Sequence, residues 1–311
     1  MDCKAFVLKQ AEGIRRTVGD ATAISALSGG VDSSVVTVLG HLAIGKQMKV
    51  IFIDDGLMRQ DEPQEVKGLF AKLGIQVRVL NAKKRFFDAF HGLTDPEEKR
   101  KAFRDTFYKV FGDAVKASGA RFLLQGTIAP DIIETKKGVK TQHNVLEQIG
   151  IDPESGYGFG VVEPIKTLYK PDVRRVARFL CLPPSISQRM PFPGPGLSAR
   201  CMGEVTPPRI AIVRKACLIV EQEMAGSKAF QTFGVLLADR PTGITKDGRR
   251  REGDAIAIRC VDSKNAVTAQ ATKISWARLV RMRDRILKEI PTVTKVLCDL
   301  TPKPPSTIEY I

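Results

Sequence analysis

Up to about residue 180 the chain alternates between short strand-like runs and helical stripes. Runs at 23–27, 50–53, 75–80, 121–125 and 161–164 have the length of strands, and the first two read as buried, with 50–53 apolar throughout. Between them lie stripes spaced three and four apart: Val35, Val36, Val38 and Leu39; then Val66, Leu69, Phe70 and Leu73; then Val173, Val176, Ala177 and Leu180. A lead-in helix carrying Phe6, Val7, Ala11 and Ile14 precedes the first run and stops at Gly19. Phe86, Phe87 and Phe90 share one helical face and read as core. Asp95-Pro96-Glu97-Glu98 opens a long helix, with proline and acids where a first turn favours them. Its stripe Phe103, Phe107, Val110 and Ala114 should be buried, and Lys99, Arg100, Lys101 and Arg104 read as a solvated face by default, or as a phosphate-facing cluster. Strands alternating with helices predict an α/β fold built on a doubly wound parallel sheet, with ligands at the strands' C-terminal ends.

The pattern lapses between 135 and 157, where Lys136, Lys137, Lys140, His143 and Asn144 sit among glycines. A polar stretch of this length reads as a lid or as a surface insertion. Pro183-Pro184 and Pro191-Phe192-Pro193-Gly194-Pro195-Gly196 read as a stiff linker, so the expected domains are 1–190 and 191–311. Beyond it come a helix over 209–223, strands over 233–238, 255–261 and 293–300, a turn at Asp247-Gly248, and a helix carrying Trp276, Leu279, Val280 and Leu287. That suits a smaller α+β domain. The proline-rich end, 301–311, is expected to be pinned rather than frayed.

A length of 311 residues fits two domains. Six scattered cysteines contain no Cys-x-x-Cys pair, which argues against a zinc ribbon or a disulfide framework and for reduced thiols in the cytoplasm. No apolar stretch is long enough for a bilayer, and Met1-Asp2-Cys3-Lys4 does not open a signal peptide. The net charge of +15 suits either a nucleic-acid binder or an enzyme handling polyanionic nucleotides.

Candidate chemistry centres on Ser28-Gly29-Gly30-Val31-Asp32-Ser33-Ser34, where the first strand turns into a helix. Glycines let a ligand approach the backbone, and the helix N-terminus attracts an anion. Asp32 makes sense there if a divalent cation bridges it to phosphate oxygens. No Gly-Lys-Ser/Thr follows, so this is not the ordinary nucleoside-triphosphatase loop. Asp-Ser-Ser also suits a plain helix cap, and the residues alone leave both readings open. Asp54 closes the second strand, and Asp131 and Glu134 follow the fourth, all at the same end of the expected sheet.

The Ser28–Ser34 loop resembles that of the N-type ATP pyrophosphatases. Gln125-Gly126-Thr127-Ile128-Ala129-Pro130-Asp131, the Pro191–Leu197 stretch, Gly203-Glu204-Val205 and Lys303-Pro304-Pro305-x-Thr307-Ile308-Glu309 resemble the GMP synthase family, in its order and over nearly the whole chain. The family's amidotransferase domain is missing, as in separate synthetase subunits. The resemblance implies an adenine nucleotide alpha-hydrolase-like fold with a C-terminal dimerisation domain. It implies a ligase that uses ATP and Mg2+ to adenylylate XMP, with ammonia from a glutamine amidotransferase partner and no nucleic acid. It assigns Ser28, Gly29, Gly30, Val31, Asp32, Ser33, Ser34, Asp54 and Gly126 to ATP, and Asp32 and Asp131 to the metal. Asp131, Glu134, Lys140 and His143 take the chemistry, and Arg240, Lys295, Lys303, Ile308 and Glu309 the acceptor. Four departures stand out: the lid reads Lys140-Thr141-Gln142-His143-Asn144-Val145-Leu146-Glu147, Lys295 replaces an arginine, Lys246-Asp247-Gly248-Arg249 replaces Gly-Asp-Gly-Arg, and Ile311 replaces a final glutamate. The alternatives are an enzyme of the same loop class that modifies a tRNA base, and a divergent nucleotide-binding homologue with another acceptor.

Overall fold

In the computed structural model, which describes residues 1–136, 160–245, 247–264 and 266–310, the early apolar runs pair as one parallel sheet. Its strands are β1 (Ala23–Ala26), β2 (Met48–Asp54), β3 (Val77–Asn81), β4 (Phe122–Leu124) and β5 (Gly160–Val162), ordered β3-β2-β1-β4-β5. β1 lies at the centre, with Ala23 opposite Met48 on one side and Phe122 on the other. The chain moves from β1 through β2 to β3, then returns to fill the other side with β4 and β5. The reversal between β1 and β4 leaves a crevice at their C-terminal ends, the place where such sheets take ligands.

Two compact units emerge, each assembled from three chain segments. The first comprises Met1–Asp54, Glu62–Ala82 and Asp105–Arg189. Here α1 (Cys3–Val18), capped by the Asp2 side chain, packs on α2 (Val31–Ile44), as does a helix over Lys170–Phe179. α2 also touches β1, β2 and β4, so Val35, Val36 and Leu39 are wholly buried. α3 (Glu62–Lys72) lies against β3.

The second unit comprises Asp55–Asp61, Lys83–Arg104 and Met190–Ile311. It includes α4 (Lys83–Phe90), which buries Phe86 and Phe90 and leaves Phe87 half-buried. Its sheet has β6 (Gln231–Leu236) antiparallel to a central strand, β9 (Asp254–Asp262), with β11 (Val293–Asp299) parallel on the other side. Between them in sequence, β7 (Thr242–Ile244) and β8 (Arg250–Glu252) form a separate hairpin, and β10 (Gln270–Ala271) is a short addition to β9. The helix Pro207–Glu223 covers β6, and the helix Trp276–Glu289 packs on both that helix and β11. Among the described residues no helix is long and apolar enough to cross a membrane, and the six cysteines are free thiols.

Four expectations need correction. In α5 (Pro96–Ser118) the buried set is Val110, Phe111 and Val115, whereas Phe103, Phe107 and Ala114 are only half-covered. In the helix Trp276–Glu289 the buried positions are Met282 and Ile286; Trp276 is 76% exposed. The 191–196 stretch is packed into the second unit, with Phe192 held by guanidinium groups of Arg59 and Arg200 at 4.2 and 5.0 Å. Lastly, Lys99 is not solvated but 1% exposed, its Nζ donating to the carbonyls of Cys201 and Gly203, each at 2.9 Å. The Gly203-Glu204-Val205 turn therefore closes on a buried ammonium.

Burial pushes the Lys99 pKa down from 10.5 to about 8. Between those values the unfolded chain binds the extra proton, so this group adds stability as pH rises. Lys99→Ala should destabilise by about 2 kcal/mol, because two buried carbonyls lose their donor. In denaturant titrations its deficit against the wild type should widen from pH 8 towards pH 10; a narrowing deficit contradicts the assignment.

Candidate active site

The turn at the end of β1 is shaped by its hydroxyls and by one strained glycine. Gly29 has φ +73°, and a Cβ there would lie 2.6 Å from Glu62 Oε1 and 2.8 Å from Arg189 Nη1. Any side chain there would be strained by the backbone and would crowd the Glu62–Arg189 pair. Ser33 Oγ meets Ser28 Oγ at 2.9 Å and donates to the Gly30 carbonyl at 3.2 Å; Ser34 Oγ donates to the same carbonyl at 2.7 Å. Val31 begins α2 and is buried beneath the turn. The first amides of α2 have no carbonyl of their own helix to reach, so they are presented with the positive end of the helix dipole. Opposite, β4 runs out into Gly126, where an added Cβ would sit 3.1 Å from Asp32 C and from Ser33 N. The sheet's reversal point thus brings the Ser28–Ser34 turn and Gly126 into van der Waals contact.

Asp32 occupies the first turn of α2. Its Oδ2 accepts from Lys170 Nζ at 2.5 Å, whereas Oδ1 is buried without a hydrogen-bond partner. A buried carboxylate oxygen left open beside a helix N-terminus has the donor chemistry of a divalent-cation ligand. Among the described residues no three His, Cys, Asp or Glu side chains gather as a metal cage. Asp32 could supply one ligand to a Mg2+ ion, which commonly takes one or two carboxylates and completes its shell with water and phosphate. Asp54 ends β2 and is 9% exposed. Asp131 accepts the Ile128 amide at 3.1 Å and so shapes the start of the helix Ala129–Lys136. Glu134 lies on that helix; Lys140 and His143 fall outside the described residues.

In the second unit the tail residues are clamped from below. Ile308 is buried, and the Glu309 carboxylate takes Arg200 Nη2 at 2.8 Å, Arg200 Nε at 3.0 Å, and the Gln231 side-chain amide. Arg200, 1% exposed, lies 4.1 Å from the Phe233 ring centre. Burial works against its charge, but Cys217 and Glu309 outweigh that and raise its pKa. Arg259, wholly buried, donates to the carbonyls of Thr301 and Thr307 at 2.6 and 2.9 Å and pairs with Asp299 at 3.0 Å. Asp299 also accepts from Tyr310 Oη at 2.8 Å. Burial alone would raise the Asp299 pKa; the hydrogen bonds from Thr301 and Tyr310, with the Arg259 charge, hold it below its ordinary value. The expected pinning of the tail is therefore present. Lys303 donates to the Ala266 carbonyl at 2.9 Å, Arg240 pairs with Asp254 at 2.9 Å, and Lys295 stands exposed on β11.

Sequence reasoning missed Glu62, Glu163, Lys170, Arg189 and Arg200. Glu163 accepts from Thr127 Oγ1 at 2.6 Å and so ties the Gly126-Thr127 turn to the end of β5. Lys170 did leave a signal: it is the first residue of its helix, where a cation is unfavourable unless an anion faces it.

Comparison with known proteins agrees with both halves of this geometry. Residues 8–195 match the family model of NAD synthase, and residues 219–310 match that of the GMP synthase C-terminal domain. Over 310 residues the chain is 48% identical to a protein of Archaeoglobus fulgidus named as a subunit of glutamine-hydrolyzing GMP synthase, covering 100% of each chain. Proteins of the same name from Methanopyrus kandleri and Pyrococcus horikoshii are 46% and 47% identical, with 99% and 100% of each chain covered.

The clamp makes a stability prediction. Glu309→Ala leaves Arg200 buried without its carboxylate and should cost about 3 kcal/mol. Thermal unfolding reads this directly, and a variant within a degree of the wild type refutes the clamp.

Proposed function

The chain belongs to the family of glutamine-hydrolyzing GMP synthase subunits, and from that premise we propose that it aminates XMP to GMP at the expense of ATP. In the first step the 2-oxygen of XMP attacks the α-phosphorus of ATP, the α–β phosphoanhydride bond breaks, and pyrophosphate leaves. Ammonia then adds at C2, and AMP departs with the oxygen while a proton is lost to solvent. Adenylylation turns a poor leaving oxygen into a good one, so the protein's task is chiefly to position and to stabilise charge. That the relatives are named as one component of a glutamine-hydrolyzing enzyme supports a separate glutamine amidotransferase as the ammonia source.

The observation that carries this reading is the end-to-end similarity, which spans the glycine turn and the clamped tail alike. In this reading residues 1–190 carry the ATP chemistry. Ser28, Gly29, Gly30, Val31, Ser33 and Ser34 cradle the outer phosphates against Gly126, and Asp54 faces the nucleoside. Asp32, with Asp131, holds Mg2+; the open Asp32 Oδ1 supports it. The ion would neutralise charge on the departing pyrophosphate. Glu134, Lys140 and His143 act on the reacting groups. Residues 191–311 take XMP through Arg240, Lys295, Lys303, Ile308 and Glu309, and pair two copies in the cytoplasm; Trp276 and Leu300, 76% and 70% exposed, offer apolar surface for that contact.

Given ATP, Mg2+ and ammonium, the purified protein should form AMP only when XMP is present. Formation of ADP, or of AMP with tRNA in place of XMP, contradicts the proposal. Asp32→Ala should lower turnover by about 100-fold or more while leaving the melting temperature near that of the wild type.

A further inference from the structure

We propose that Arg189 is a positioning residue for the phosphate cradle: by holding the Gly29 carbonyl it sets the direction of the Gly30 amide. The proposal rests on the reading of Ser28–Ser34 as the pyrophosphate site. Arg189 Nη1 donates to Gly29 O at 2.9 Å and reaches Glu62 Oε1 at 2.7 Å. Glu62 is 2% exposed and opens α3, where the helix dipole favours an anion. The guanidinium is thereby anchored on one side and aimed at the loop on the other.

The consequence follows from peptide geometry. The Gly29–Gly30 bond is trans, since the cis bonds among the described residues are at Lys303-Pro304 and Pro304-Pro305. In a trans peptide the C=O and the next N–H point in opposite directions. A guanidinium on Gly29 O therefore turns the Gly30 N–H to the opposite edge of the same peptide plane. There that amide has only a long contact with Ser28 Oγ, at 3.4 Å, so it remains available to an anion. The following plane is fixed in the same way, because Gly30 O accepts from Ser34 Oγ at 2.7 Å and from Ser34 N at 3.1 Å. Two consecutive peptides thus have their carbonyls held by protein donors and their N–H groups turned outward. Without Arg189 the first plane is free to flip, a rotation about ψ of Gly29 and φ of Gly30 that costs little because both residues are glycine, and the flip would present a carbonyl to phosphate.

Inhibition by magnesium pyrophosphate tests this, alongside steady-state AMP formation, on the full chain. Arg189→Met should raise the pyrophosphate inhibition constant about tenfold or more and lower turnover about 100-fold, with the KM for XMP within about twofold. Arg189→Lys should fall between, because an ammonium lacks the planar fork that serves Glu62 and Gly29 together. Ethylguanidinium added to Arg189→Met should restore part of the turnover, an effect that a merely structural role would not give. Unchanged pyrophosphate inhibition in a folded Arg189→Met overturns the proposal; if that variant does not fold, unchanged inhibition in Arg189→Lys does so. Should pyrophosphate fail to compete with ATP in the wild type, the cradle reading falls and this proposal with it.

Discussion

A turn of two glycines at the end of β1 has to stay open, and the first unit is arranged to keep it so. Its carbonyls are occupied by Arg189 and by the Ser33 and Ser34 hydroxyls. One wall is Gly126, set by the pairing of β4 beside β1. The hydrophobic core under α2 fixes the helix whose N-terminus faces the turn. Within the turn the Ser28 amide donates to Ser33 Oγ at 3.2 Å and the Gly30 amide reaches only Ser28 Oγ, at 3.4 Å. The surrounding hydrogen bonds hold the turn in shape before any ligand arrives, which is the sense in which electrostatic preorganisation works.

The second unit solves a different problem with buried cations. Lys99, Arg200 and Arg259 each lie at 1% exposure or less, and each donates to backbone or carboxylate groups of irregular segments. Loops rich in proline and glycine cannot satisfy their own carbonyls, so a central guanidinium or ammonium serves as a shared donor. Such sites contribute little net stability compared with an apolar filling, yet they hold one conformation. The tail from Thr301 to Tyr310 is held this way, through Arg259 at its start and Arg200 at Glu309. Some of the +15 charge is therefore internal, which weakens the argument from charge to nucleic acid.

Much of this architecture is legible from residue order. The parallel strands announce themselves because runs such as 50–53 are apolar on both faces, and the glycine turn because Ser-Gly-Gly interrupts a strand just before a helical stripe. Helix faces are less legible: in α5 the buried Phe111 and Val115 lie one position beyond Val110 and Ala114 of the expected stripe, and in Trp276–Glu289 the buried Met282 and Ile286 fall outside the apolar set read at 276, 279, 280 and 287. The cations are illegible for a plainer reason. Lys99 beside Arg100 and Lys101 looks in sequence like any solvated run, and only the loop that folds over it makes it interior. Arg189 and Glu62 are far apart in the chain and meet only through the fold. Lys140 and His143 rest on resemblance and lie outside the described residues.

The proposed reaction requires the outer two phosphates of ATP to rest on the turn between β1 and α2. A crystal structure of the protein with Mg2+ and ATP, without XMP, tests it most directly. The β- and γ-phosphates are expected within hydrogen-bond distance of the Gly30 amide, with the metal on Asp32. Phosphates bound elsewhere, with the Ser28–Ser34 turn holding only water, would contradict it.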